Sequence, residues 1–492
     1  GIVSFINSYG YYPISTEITW THGILGGIFE STISLGLNVG SDSFGSLQQF
    51  VALLSIIGTI IGVKKKSEFI KKEIFYIFIC ILAITPLVFL FSSAKPQLIG
   101  VASNLLAINL IFLFNKINFS KNETNIFLIL LLLVFSYLVK FTFIISCFLI
   151  FIYLFYKCYK LNKLKKLFSF SFLIFLFLII PVWYWKIANL NFSLVEILFS
   201  PLPVSKGSFS SFLDYMVLHN EFNHSLGFKE YRDKIIFLKI FPIFLIFPSD
   251  LSRITTFIGV PLILLFFYKK NKTQEVKELK YFILLLYILI AVFSSPNSRY
   301  YLLVYYLGIY HLTIVGIDFN NKLFNLISKL IKIQLIFVLI VVFYGVYILS
   351  PGIINNKYRS TVLDNHAIFY NVSKFTEKKL TNQTRIINDF RSTALFRFPQ
   401  VRTDWININA IDYNKIENRE KFNYHFEKII KFNPEYLITK ENSKTYSHLK
   451  GCLILQYSKD NLKKVKRNPF GKNIYINVRI YKINGLEKCL KR

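Results

Sequence analysis

Apolar runs of about 14 to 20 residues, separated by short polar stretches, recur from position 46 to position 350. A helix needs roughly 20 residues to cross about 30 Å of hydrocarbon. The pattern predicts ten spans, at 46–63, 74–92, 97–115, 126–139, 141–156, 167–185, 254–268, 281–294, 300–317 and 332–350. Residues 126–156 read as two short helices around Lys140, because a single crossing would separate the lysines of 157–166 from the other lysine clusters. The apolar stretch 235–248 contains Lys239, Pro242 and Pro248 and reads as an interfacial or re-entrant helix. Beyond Pro351 the period changes. A helix at 364–380, a strand at 385–389, a helix around 420–432 and strands at 434–439, 452–458 and 474–483 predict a small α/β domain over 351–492. The fold class expected is a polytopic α-helical membrane protein, with about ten spans plus surface helices, and a C-terminal extramembrane α/β domain.

The polar connections alternate in character. Lys64, Lys65, Lys66, Lys71 and Lys72 share one loop, and Lys116 and Lys121 lie in the next but one. Further clusters follow at 157–166, 269–280 and 322–332. The positive-inside rule makes these cytoplasmic. The intervening turns, around Lys95, Lys140, the long segment 186–253 and Arg299, then face outside, as do both ends of the chain. Residues 1–45 read as an outer juxtamembrane segment of short surface helices, ahead of a transmembrane domain over 46–350. The chain opens on Gly1 and its single methionine is Met216, so an initial span is expected upstream.

Composition sharpens this picture. Only 17% of the 492 residues are charged while 53% are hydrophobic, against about 25% charged in soluble domains, which disfavours an ordinary cytosolic enzyme. A net charge of +31 in a soluble protein would suggest nucleic acid. Here the lysines sit between apolar runs, so the expected partner is membrane lipid and no nucleic acid. Residues 351–492 hold 28 basic and 12 acidic residues, about half of the excess. That charge suits lipid headgroups or an anionic ligand, and equally a bias of composition toward Lys and Asn. Of five cysteines, Cys80 and Cys147 fall in spans and Cys158 in a loop, as packing residues, whereas Cys452 and Cys489 share the last domain and could pair. There is no Walker loop and no dinucleotide glycine motif, which argues against an ATP-driven mechanism and leaves a divalent metal open as cofactor.

Ionisable residues at span ends are costly to bury and mark candidate chemistry. Lys95 in SSAKPQLIG, Lys140 in SYLVKFTFIIS and Arg299 in SSPNSRYYLL are each the sole basic residue of a tight turn. Three such cations at one depth can converge on a phosphate, or each can snorkel to headgroups. Glu17, after Tyr11, Tyr12 and Pro13, and Asp42 are the carboxylates placed to act as general base on an acceptor hydroxyl, or merely to cap a helix. His219, Glu221 and His224 match no standard metal spacing. Trp183 and Trp185 read as an interfacial belt.

With the lone Lys of SYLVKFT, the AKPQ turn before a span, the Arg-Tyr pair opening SRYYLLVYYLGIYHL and a soluble last domain, the chain resembles the GT-C superfamily of membrane glycosyltransferases. The closest likeness is to its bacterial aminoarabinose-transferase and protein-mannosyltransferase branch. The resemblance implies a bacterial inner (cytoplasmic) membrane protein that transfers a sugar, with inversion, from a polyprenyl-phosphate carrier to an acceptor at the outer face. It places Glu17 near the acceptor and Lys95, Lys140 and Arg299 near the carrier phosphate. The family's principal acidic residue follows its first span, a part expected upstream of Gly1. Two other readings stay open: a polymerase or ligase of surface polysaccharide, which seldom carries a large terminal soluble domain, and a transporter or flippase, which often shows internal repeats.

Overall fold

The computed structural model describes residues 44–63, 71–91, 96–113, 122–190, 257–269, 273–293, 298–366, 369–381, 383–390, 400–402, 432–441, 451–463 and 475–485, with Leu35, Ile243, Leu245, Ile246, Phe247 and Phe398 as isolated positions. Within them the chain is mostly helical, with one small mixed sheet. The helices are α1 (Phe44–Ile61), α2 (Lys71–Leu82), α3 (Thr85–Phe91), α4 (Gln97–Leu113), α5 (Asn122–Val139) and α6 (Ile144–Lys160). They continue with α7 (Leu164–Ile174), a π-helical stretch Phe175–Ile179 leading into α8 (Ile180–Leu190), then α9 (Gln274–Phe293), α10 (Leu302–Val315) and α11 (Phe324–Leu349). Among the described residues, three helical stretches are long and apolar enough to cross a membrane: Phe44–Ile61, Leu164–Tyr184 and Phe324–Leu349. Gln97–Phe112 and Glu123–Val139 are shorter apolar helices.

The centre of the bundle is α10. Every residue from Leu302 to Thr313 is buried, as expected of a helix apolar on all sides. Two of its tyrosines find hydrogen-bond partners on neighbouring helices: the Tyr305 hydroxyl donates to the Cys80 carbonyl at 2.7 Å, and Tyr310 to Asn109 Oδ1 at 2.9 Å. Peripheral helices bury one face and leave the other apolar and exposed, including Phe168, Phe172 and Phe177 on one and Ile333, Ile336 and Phe343 on another. Such faces suit lipid.

The break expected at Lys140 is present: α5 ends at Val139, and a 3-10 turn, Phe141–Phe143, leads into α6. Other expectations need correction. The span expected at 74–92 is two helices, α2 and α3, interrupted at Ala83 and Ile84, because Pro86 lacks the N–H that a continuous helix needs and clashes with the preceding turn. The span expected at 254–268 is not a helix across its described part. It holds one turn, Pro261–Leu264, and then pairs Tyr268 with Ile317 as an isolated bridge.

Both irregular stretches are held by Gln334 of α11. Its Nε2 donates to the carbonyls of Ala83 (2.8 Å) and Ile258 (2.9 Å), and its Oε1 accepts from the Val260 N–H at 2.8 Å. Thr85 Oγ1 adds a bond to the Phe257 carbonyl. In an apolar slab, backbone groups without partners cost several kcal/mol each, so non-helical backbone persists there only where protein groups satisfy it. Gly259 has a φ of +100°, and a Cβ there would lie 2.1 Å from Gln334 Oε1. Both the backbone conformation and the close approach require glycine.

Beyond Pro351 the expected helix at 364–380 is two, α12 (Asn356–His366) and α13 (Tyr370–Lys379). Strands β1 (Ile386–Asn388), β2 (Gln400–Arg402), β3 (Tyr436–Lys440), β4 (Leu453–Lys463) and β5 (Tyr475–Ile483) form one sheet in the order β2-β1-β3-β5-β4. Strand β1 runs parallel to β2 and β3, and the β3–β5 and β5–β4 pairs are antiparallel. Four of the strands overlap those expected at 385–389, 434–439, 452–458 and 474–483, and β2 was not foreseen. Phe369, Val372, Ile386, Ile438, Val478 and Ile480 fill its core, separate from that of the bundle. The helix expected around 420–432 lies outside the described residues except Phe432. Cys452 is disulfide-bonded; Cys489, its expected partner, lies outside the described residues. Cys80, Cys147 and Cys158 are free and buried, and Cys158 belongs to α6, not to a loop.

Candidate functional site

Of the cations singled out in the sequence, Lys140 and Arg299 are brought together, and the residue between them is Gln97. Lys140 lies in the break between α5 and α6, and Arg299 in the 3-10 turn Ser298–Tyr301 that opens α10. Gln97 begins α4, directly after Pro96, where a helix start leaves N–H groups open. Lys140 Nζ donates to Gln97 Oε1 at 2.7 Å, and Gln97 Nε2 donates to the Arg299 carbonyl at 3.2 Å. A single neutral amide, almost wholly buried, thus ties the two turns.

Tyr300 is the second meeting point. Lys140 Nζ lies 5.3 Å from the centre of its ring and the Arg299 guanidinium 5.0 Å, within cation–π range. Arg299 Nη2 also donates to the Tyr300 hydroxyl oxygen at 3.2 Å. Two positive side chains thus meet on one phenol ring.

A cavity opens at this place. Gln97 supplies one wall, Thr142, Phe143, Ile145 and Ser146 from the start of α6 another, and Tyr300 and Leu303 from the start of α10 a third, with Ile290 of α9 closing it. The start of α4 and the 3-10 turns that lead into α6 and α10 therefore share one cavity. The Thr142 hydroxyl is buried in the wall with no hydrogen-bond partner among the described residues.

The framework that fixes these groups is polar and local. Gln49 of α1 accepts the Leu98 N–H through Oε1 at 3.1 Å, capping α4. Asn104 donates to Ser146 Oγ at 3.0 Å, and Ser146 donates to the Phe143 carbonyl at 2.8 Å, which fixes the start of α6 against α4. Gly100 allows the Phe143 ring to lie on α4, since a Cβ there would come 2.2 Å from the ring.

The family model of the DUF1420 N-terminal domain matches residues 2–363. The chain belongs to the DUF1420 family. The matched part spans all of α1 to α11 and so contains Gln97, Lys140, Thr142, Arg299 and Tyr300, while the DUF1420 match ends before the first strand of the sheet. Searches find no match to this DUF1420 chain among curated proteins or among solved structures.

The remaining candidates from the sequence, Lys95, Glu17, Asp42 and the group His219, Glu221 and His224, lie outside the described residues. Trp183, expected as a belt residue, donates from Nε1 to the Tyr137 hydroxyl oxygen at 2.9 Å. Gln97, Thr142 and Tyr300 were not foreseen. Gln97 and Tyr300 nevertheless stand inside the AKPQ and SRYY stretches, where a polar or amphipathic residue in the first turn of an apolar helix was the available signal.

Proposed function

We propose that the chain transfers a sugar from a polyprenyl-phosphate carrier to an acceptor at the outer face of a bacterial cytoplasmic membrane. The observation that carries this reading is the convergence of Lys140 and Arg299, from turns 159 residues apart, on one ring beside a cavity. In an inverting transfer an acceptor oxygen or nitrogen bonds to the anomeric carbon as the bond to the phosphate oxygen breaks. The acceptor's proton passes to a base, for which Glu17 and Asp42 are the candidates. The phosphate gains charge as it leaves, and cations placed there lower the barrier. About ten crossings with both ends outside complete the reading. The disulfide at Cys452 supports an oxidising compartment for the sheet.

In the full-length protein, Lys140→Ala and Arg299→Ala should each lower transfer from a polyprenyl-phosphate sugar at least about 100-fold, by analogy with removal of one charge-stabilising donor, with unchanged expression. Transfer at the parental rate in either variant removes that residue from the site. Single cysteines at 357 and 270 test the topology, and labelling of the latter from outside overturns the orientation.

A second reading, a transporter or flippase without covalent chemistry, draws support from the interrupted backbone around Ala83 and Ile258 that Gln334 holds, since transporters place broken helices at their binding sites. Lipid-linked sugar crossing proteoliposomes containing the protein, with no transferred product, would favour it.

A further inference from the structure

We infer that the helical turn following α11, Pro351–Ile354, is a membrane seat: Ile353 and Ile354 insert into the leaflet in which α11 ends and hold the start of α12 against the lipid surface. The inference stands apart from the transfer reading and needs only that α11 crosses the bilayer, for which it is long and apolar enough.

The last cations on α11 are Lys329 and Lys332, and residues 333–349 carry no charge. That stretch rises about 25 Å at 1.5 Å per residue, short of the roughly 30 Å of a hydrocarbon core. The next turn supplies the difference. The Ser350 N–H donates to the Val346 carbonyl at 2.8 Å, and the Ile353 N–H to the Ser350 carbonyl at 3.0 Å, so the helical course runs on past Leu349. Asn355 then leaves it in an extended conformation, and its Oδ1 accepts the Tyr358 N–H at 2.9 Å, capping α12. A Cβ on Gly352 would stand 3.5 Å from Val362 and 3.6 Å from Arg359, so α12 packs back on the turn and fixes it. Two adjacent isoleucines are thereby presented 86% and 72% exposed, and among the described residues no large apolar side chain is more exposed than Ile353. They continue the exposed apolar side of α11, formed near its end by Phe343, Val346, Tyr347 and Leu349, and no charged residue follows before Lys357. This continuity with a lipid-facing surface makes lipid the occupant. Tyr347 and Tyr358 flank the pair as aromatic residues do at a membrane interface, and the exposed Lys357 adds a cation at headgroup level. Removing two isoleucines from water favours the seated over the lifted turn at least about 100-fold.

The test uses the full chain in nanodiscs with a nitroxide placed singly at Ile353→Cys, Ile354→Cys or Asn365→Cys, the last an exposed polar position on α12. Spin relaxation reads collisions with oxygen, which concentrates in lipid, and with a nickel chelate, which stays in water. The ratio of oxygen to nickel accessibility should be at least about tenfold higher at 353 and 354 than at 365, and should persist at 1 M salt because the insertion is apolar. Ile353→Ser with Ile354→Ser removes side chains that touch little protein, so the unfolding temperature in detergent should stay parental. In nanodiscs the same pair should make a label at Tyr358→Cys at least about threefold more accessible to nickel. Nickel accessibility at 353 and 354 equal to that at 365 would overturn the seat. Shielding of both labels from oxygen and nickel alike would overturn it too, because protein then covers the turn: another part of this chain if discs holding one copy show it, a second copy if only discs holding two do. Lipid exposure lost at 1 M salt would replace insertion by headgroup attraction, and unchanged accessibility at 358 in the double serine variant would show that the isoleucines do not hold the turn.

Discussion

The two ends of the helical bundle use the same residue types to opposite effect. At the lysine-rich end, cations face carboxylates. Lys157 of α6 meets Glu278 of α9 at 2.8 Å, and both are largely buried. Glu73 of α2, 4% exposed in its side chain, faces Lys269 at 3.7 Å and accepts the Ile317 N–H. Glu123 lies 3.5 Å from Lys163 and 3.2 Å from Lys166. At the opposite end the described contacts of Lys140 and Arg299 are an amide, a carbonyl, a hydroxyl and an aromatic ring. A carboxylate fixes helix to helix by charge, whereas the Gln97 amide fixes one turn to another by hydrogen bonds.

The contrast is sharpest when one lysine is removed from each end. Lys157→Ala leaves Glu278 buried without its main partner, and breaking a buried pair from one side costs about 3–5 kcal/mol. Lys140→Ala removes the charge-assisted bond to the neutral Gln97 amide, for which the expected cost is about 1.5–3 kcal/mol. Thermal unfolding in one detergent should therefore separate the two variants. Equal losses would mean that Lys140 is a structural ion like Lys157, and would withdraw the distinction between the ends.

How far these ends were legible in the sequence depends on what each signal measures. Hydropathy and lysine spacing located α1, α4, α5, α6 and α11, and they placed the break at Lys140, because charge and apolarity are local properties. The same window counts apolar residues without asking whether the backbone is helical, and so it joined α2 to α3 and read 254–268 as a span. Pro86, Gly259 and Pro261 were the available warnings. Gln334 passed as one polar residue inside an apolar run. Its bonds reach Ala83 and Ile258, 251 and 76 positions away, and no local pattern contains them. The site divides in the same way: Lys140 and Arg299 stood out by charge, whereas Gln97 and Thr142 act through geometry that only the packing of α4, α6 and α10 creates.

A smaller effect tests whether the cavity depends on close packing beneath it. Gly100→Ala forces the Phe143 ring away, since the added carbon would lie 2.2 Å from it. Overpacking of this kind costs about 1–3 kcal/mol. Lys140 directly precedes the turn 141–143, so the same variant should lower transfer as well. A matched change on the Lys157 side of α6 should lower stability alone. If Gly100→Ala loses stability and keeps the parental transfer rate, the turn 141–143 is not what places Lys140.

The smallest expected effect separates buried from exposed pairs within the lysine-rich end itself. Glu123 is 38% exposed and its partners Lys163 and Lys166 are 25% and 50% exposed. Lys166 and Lys163 therefore act on it largely through solvent, where ions within a Debye length, about 10 Å at 0.1 M salt and 3 Å at 1 M, screen the attraction. Glu123→Gln should lower the unfolding temperature slightly at low salt, and the difference should vanish at 1 M salt. Glu278→Gln, beside a lysine only 9% exposed, should keep most of its loss at the same salt concentration. A salt response shared by both variants would show that water reaches Lys157 and Glu278, and the lysine-rich end would then be a solvated surface instead of part of the packed bundle.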